Sequence, residues 1–277
     1  MHVETLASGR GWSVSDIVCT SGPHDRVFEE QHASVCLAAV MRGSFQYRTT
    51  QGAATLVPGA VLLGNYRSCF ECGHDHSTGD RCLSFMFDPD YFEAILSSVR
   101  GVRAAAFLAP RLPPLMSTTR FFADAALCRG EDSPLLFEQL ALDLAGQVAA
   151  SVAESVPAAS PPAWRDEQRV AAILRRIETD ASATLGVGDM ARDVAMSPYH
   201  FLRTFRRVAG MTPHQFILRA RLQDAAVRLR CSSRPVLDIA LDSGFGDLST
   251  FNRRFHATMG MTPTAYRHQD RIGRTGI

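Results

Sequence analysis

Between residues 69 and 82 the chain reads CFECGHDHSTGDRC, with three cysteines and two histidines in fourteen positions. Cys69, Cys72, His74, His76 and Cys82 are ligand types that suit zinc or another divalent metal, through some subset of the five. In an extended strand Cys72, His74 and His76 point to one side, but residues two apart lie roughly 7 Å apart, too far for one ion to reach all three. A bend at Gly73, or a Cys69-x2-Cys72 knuckle completed by one histidine and Cys82, would gather such a subset. Two further readings stand beside the metal. Cys69, Cys72 or Cys82 could serve as a thiol switch or electrophile sensor, which needs a lowered thiol pKa that Arg81 would assist. Alternatively the segment is structural, with buried cysteines and hydrogen-bonded histidines. Cys19, Cys36, Cys128 and Cys231 lack comparable neighbours and read as small core residues or inert surface thiols.

The elements that must position this stretch are strands. "SVCLAAVMRGSFQYRTT" and "ATLVPGAVLLGNY" carry strand-like runs broken by Gly43, Gly52 and Pro58-Gly59, and "RCLSFMFD" reads as another strand. Asp88-Pro89 starts a helix near 89–99. From about 118 to 150 the pattern turns helical, through Phe122, Ala125 and Ala126, then Leu136, Leu140, Leu144 and Val148. These helices pack on the strands or form a dimer face. With 277 residues the chain is long enough for two domains, and no apolar run approaches the roughly 18 residues of a membrane span. No basic region followed by an apolar stretch opens the chain, and seven cysteines is an odd number, so reduced thiols in a cytoplasm are expected.

Charge is unevenly placed. Residues 1–164 hold 11 Arg against 17 Asp and Glu, a balance of −6, whereas residues 165–277 hold 18 Arg against 11, a balance of +7. A basic second half points to a polyanionic partner. "SVAESVPAASPPA" between the halves suits an exposed, partly stiff linker. The expected organisation is therefore α+β: a β-rich domain with flanking helices over 1–150, a linker over 151–164, and an all-α domain over 165–277.

The basic half repeats itself. "FLRTFRRVAGMTP" from residue 201 aligns with "FNRRFHATMGMTP" from residue 251, an offset of 50. Each copy reads as helix, tight turn and second helix. Ser197 and Pro198 open the second helix of the first copy; Gly244 and Asp247 end one helix and cap the next in the second. Phe201/Phe205 and Phe251/Phe255 sit four apart and share an inward face, which turns Arg203, Arg207, Arg253 and Arg254 elsewhere. A linking helix from Pro213 to Arg230 buries Leu218, Leu222, Ala225, Ala226 and Leu229, leaves Arg219, Arg221, Arg228 and Arg230 largely outside that stripe, and spans roughly 27 Å. Another helix, near 166–179, turns Val170, Ile173, Leu174 and Ile177 inward. A 27 Å link approaches the roughly 34 Å turn of B-DNA, so both second helices can enter successive major grooves. The competing reading is an all-helical interaction domain whose arginines are solvated surface.

"MSPYHFLRTFRRVAGMTP" and "IALDSGFGDLSTFNRRFHATMGMTPTAYR" resemble the double helix-turn-helix domain of AraC/XylS-type transcription regulators, over about 166–268. The resemblance implies double-stranded DNA as partner, a cytoplasmic homodimer without membrane attachment, contact with RNA polymerase, and a small-molecule or metal effector. It also implies that the first half is a cupin-like barrel for sensing and dimerisation. By similarity, Tyr199, Leu202 and Arg203 form the base-reading face of the first unit, and Leu248, Ser249, Asn252 and Arg253 that of the second. Arginine can pair with guanine and asparagine with adenine, while Leu202 and Leu248 either press on a thymine methyl or join the core. Arg206, Arg207 and Arg254 fit phosphates, with helix starts at Thr212 and Thr262 offering backbone N–H groups to the same anions. The resemblance assigns no catalysis. The rival reading is a cupin-type metal oxygenase with an appended helical domain: His74-x-His76 with Asp80 resembles the metal motif of cupin enzymes, where glutamate is expected at Asp80.

Overall fold

The computed structural model describes residues 1–27, 29–74, 79–98, 106–128, 133–153, 163–183 and 185–269. Its first half holds two antiparallel sheets. The larger is built from β1 (His2–Gly9), β2 (Trp12–Cys19), β4 (Val35–Gly43), β7 (Val61–Gly64), β9 (Asp80–Phe87) and β10 (Arg111–Leu112), in the order β1-β2-β9-β4-β7-β10. The smaller comprises β3 (Glu29–Gln31), β5 (Phe45–Thr49), β6 (Gly52–Leu56) and β8 (Cys69–Gly73), in the order β3-β8-β5-β6. The β-rich reading holds, as two separate sheets rather than one closed barrel.

Strand alternation divides this half into two cores. Val35, Leu37 and Ala39 of β4, Val61 and Leu63 of β7, and Leu83, Phe85 and Phe87 of β9 face α1 (Pro89–Ser98), α2 (Thr119–Leu127) and α3 (Pro134–Ala153). The intervening Cys36, Ala38, Val40, Leu62 and Cys82 face the other way, toward Phe45 and Tyr47 of the smaller sheet. A strand covered on both sides has no polar face, which is why β4 reads as a continuous apolar run.

The second half is helical: α4 (Trp164–Thr179), α5 (Val187–Asp193), α6 (Pro198–Ala209), α7 (Pro213–Cys231), α8 (Val236–Asp242), α9 (Leu248–Met259) and α10 (Pro263–His268). Val170, Ile173, Leu174 and Ile177 of α4 are buried as their spacing requires. The expected linker begins later than 151, because α3 runs to Ala153 and α4 starts at Trp164; residues 154–162 lie outside the described residues. Among the described residues no helix is long and apolar enough to cross a membrane.

The halves share cores. Leu56, Val57 and Ala60 pack in one cluster with Phe201, Phe205 and Ile217, and Ala123 of α2 lies in another with Leu222, Ala225, Ala226 and Phe251. Each helix-turn-helix unit therefore rests on a different part of the first half.

Candidate nucleic-acid interface and the cysteine–histidine segment

Local chemistry sets both turns. In the first unit Ser197 accepts a hydrogen bond from the His200 N–H at 3.3 Å, Pro198 takes the first helical position, and α6 ends at Gly210 with φ +82°. In the second, Asp247 accepts from the Thr250 N–H at 2.7 Å and α9 ends at Gly260 with φ +75°. Phe201 and Phe205 are wholly buried with ring centroids 5.6 Å apart; Phe251 and Phe255 match them at 5.3 Å. These anchors leave the opposite faces of α6 and α9 to solvent.

Tyr199 is 75% exposed, and Leu202, Arg203, Arg206 and Arg207 follow it on the outer face of α6, all exposed. On α9 Ser249, Asn252, Arg253 and Arg254 are all exposed. Leu202 and Leu248 part company here. Leu202 stays in solvent, whereas Leu248 is half-buried against the core of the second unit, so its first task is packing. His256 extends the row formed by Ser249, Asn252 and Arg253 by one more turn and is exposed; its three-residue spacing from Arg253 is the signal that sequence reading passed over.

The arginines of α7 are not the solvated set that their spacing implies. Arg219 is 3% exposed, its guanidinium lies over the Phe122 ring at 4.6 Å, and burial pushes its pKa down to about 10. Its Nε and Nη2 have no hydrogen-bond partner among the described residues. Arg221 donates to the carbonyls of Ala181 at 2.7 Å, Gly244 at 2.6 Å, Ser182 at 3.2 Å and Ala183 at 3.0 Å. It bolts the turn of the second unit to the chain that follows α4. Arg230 donates to the carbonyls of Tyr266 and Gln269. The helix starts at 212 and 262 are also partly occupied. The Thr212 N–H donates to Gln215 Oε1, and the Thr212 and Thr262 hydroxyls accept from Gln215 and Ala265, which leaves fewer donors for a phosphate than expected.

Among the described residues, Cys69, Cys72, His74 and Cys82 do not gather as a set. Alternation along β8 puts Cys69 and Cys72 on opposite faces, so the Cys69-x2-Cys72 knuckle does not form. His76 lies outside the described residues. Cys82 is buried and donates to Asp80 Oδ2 at 3.2 Å. The lowered thiol pKa that a switch needs has no support here: burial pushes the Cys69, Cys72 and Cys82 thiols up, and Arg81 is engaged by Asp16 at 2.7 and 2.9 Å. What does assemble is His74 with Cys19 and Asp80. His74 Nε2 lies 2.5 Å from Asp80 Oδ1, and one ligand atom from each of the three residues falls within 4.8 Å of the others. Cys19 and Asp80 are register partners on β2 and β9, a pairing across 61 positions that spacing within the segment cannot reveal.

A helix-turn-helix domain family matches residues 190–269. The regulatory protein SoxS of Salmonella typhimurium is 33% identical over 103 residues, 37% of this chain and 96% of SoxS. SoxS of Escherichia coli is 36% identical over 93 residues, 34% of this chain and 87% of that protein. The transcriptional activator AarP of Providencia stuartii is 34% identical over 101 residues, 36% of this chain and 75% of AarP. All three alignments span about a third of the chain, and they cover most of each relative's own length. The chain belongs to the AraC/XylS-type family of transcription regulators.

Proposed function

We propose that this protein is a sequence-specific DNA-binding transcription regulator whose first half sets the placement of two base-reading helices in response to a signal. The observation that carries this reading is the pair of exposed, arginine-bearing faces on α6 and α9, each seated on a buried phenylalanine pair and joined by α7. At 19 residues, α7 spans about 28 Å, close to the roughly 34 Å pitch of B-DNA. Arg203 and Arg253 are placed to pair with guanine and Asn252 with adenine, while Leu202 offers an apolar contact to a thymine methyl. Arg206, Arg207 and Arg254 hold phosphates. The names of the relatives, a regulatory protein and a transcriptional activator, agree with regulation of transcription.

Selection of bound sites from random duplexes tests it. The wild-type chain should enrich one motif. Arg253→Ala should lose about 1–3 kcal/mol of affinity and relax preference at one position. Uniform binding to every duplex, lost entirely in moderate salt, would contradict the reading.

A further inference from the structure

We propose that Cys19, His74 and Asp80 form a binding site for a borderline divalent cation of the Zn²⁺ class, and that Gly43 and Glu178 connect its occupancy to the helical half. The site itself stands without the DNA-binding reading; only its effect on DNA affinity rests on that reading.

One sulfur, one imidazole nitrogen and one carboxylate oxygen make a ligand set that zinc accepts, at roughly 2.0–2.3 Å from the ion. Tetrahedral ligands at those lengths stand roughly 3.3–3.8 Å apart. The three candidate atoms already lie within 4.8 Å of one another, so shifts of about an ångström, shared between the side chains and the strands that carry them, close the site around an ion. His74 and Asp80 are held rather than free, with side chains 5% and 6% exposed. The Cys82 thiol fixes Asp80 from behind through Oδ2, the role that an outer hydrogen-bonding partner plays at metal sites. Cys19 binds as thiolate, its proton leaving to solvent. Cys19 and Asp80 line a cleft of about 440 Å³ that Arg175, Glu178 and Thr179 of α4 also line.

The same sheet row leads to the helical half. Asp80 pairs with Cys19 on one side and Gly43 on the other. The Gly43 N–H donates to Glu178 Oε1 at 3.0 Å, in the last turn of α4. The row is packed without slack: a Cβ at Gly79 would sit 2.3 Å from the Cys19 carbonyl, and one at Gly43 would sit 2.5 Å from the Gly79 carbonyl. Drawing Cys19 and Asp80 onto an ion therefore moves the backbone that holds α4.

The test uses the full chain without a histidine tag, stripped by chelator and titrated with Co²⁺, then with Zn²⁺ in competition. One Co²⁺ per chain should bind, with tetrahedral visible bands and a near-ultraviolet thiolate charge-transfer band that Zn²⁺ abolishes. Cys19→Ser should remove the charge-transfer band and weaken Zn²⁺ at least about tenfold; Asp80→Asn, nearly isosteric, should weaken it comparably. Cys69→Ser, on the outer face of β8, should keep the band. Binding below about a tenth of an equivalent, or a band that survives Cys19→Ser, overturns the site. A wild-type DNA affinity that is the same with and without Zn²⁺ overturns the connection to α4 and leaves the site standing. A chain that selects no DNA sequence in either state overturns the DNA-binding reading, while the Co²⁺ bands still decide the site.

Discussion

Ala195 holds φ at +50° in the first turn, and forty-nine positions later Gly244 holds +85° in the second. An L-residue in the left-handed region costs roughly 1–2 kcal/mol, which glycine avoids. Ala195→Gly should therefore stabilise the chain by about 0.5–1 kcal/mol, read as a higher midpoint in urea denaturation. Gly244→Ala should do the opposite and cost more than about 1 kcal/mol, because its Cβ would also sit 2.8 Å from the Ser182 carbonyl oxygen. Equal midpoints for both variants and the wild type would contradict this account of the turns. At the same scale the caps Ser197 and Asp247, the phenylalanine pairs and the outward arginines of α6 and α9 are legible in the sequence, since each depends on neighbours within one helical turn. Cys19 is not, because its partners His74 and Asp80 reach it only through the pairing of β2 with β9. Arg219 misleads for a related reason: its place on α7 is polar by spacing, but Phe122 of α2 covers it.

Among the elements, α7 does more than set a distance. Through Arg221 it ties the second turn, at Gly244, to the chain after α4, at residues 181–183. Arg221→Ala strands those carbonyls and removes a charged donor, and should cost about 3 kcal/mol. Arg221→Lys should recover only part, because one ammonium cannot replace a planar fork that reaches four acceptors. Thermal unfolding of the two variants measures both; a lysine variant as stable as wild type would contradict the bolt. The repeat, the long helix and the boundaries of α4, α6 and α9 follow from hydrophobic periodicity and are read correctly from the chain. The β1–β2 hairpin escapes notice because β1 is exposed along most of its length and shows no apolar alternation. The two-sheet form of the first half is likewise invisible locally, since it depends on which of ten strands pair.

For the whole molecule, the shared cores decide how a signal could reach the readers. The first unit rests on Leu56, Val57 and Ala60, the second on Ala123, so the first half holds both units in one relative placement. Ala123→Glu puts a carboxylate into a wholly buried position and should cost more than about 3 kcal/mol of docking. Its expected consequence is tolerance: the variant should bind duplexes whose two contact sites are respaced by several base pairs nearly as well as the parent site, whereas wild type and Ala123→Ser should discriminate. Unchanged discrimination in Ala123→Glu would mean that α7 alone fixes the spacing. The division of charge marks the two halves in the sequence, but the contacts across them leave no local signal, since they join residues about 100 to 160 positions apart.

Guanine methylation interference on the selected duplex tests the two-reader geometry most directly. The expected result is two clusters of contacted guanines on one face of the duplex, about 10 base pairs apart. One cluster should vanish with Arg203→Ala and the other with Arg253→Ala. A single cluster sensitive to both substitutions, or a pattern that neither changes, would contradict the assignment of α6 and α9 to successive grooves.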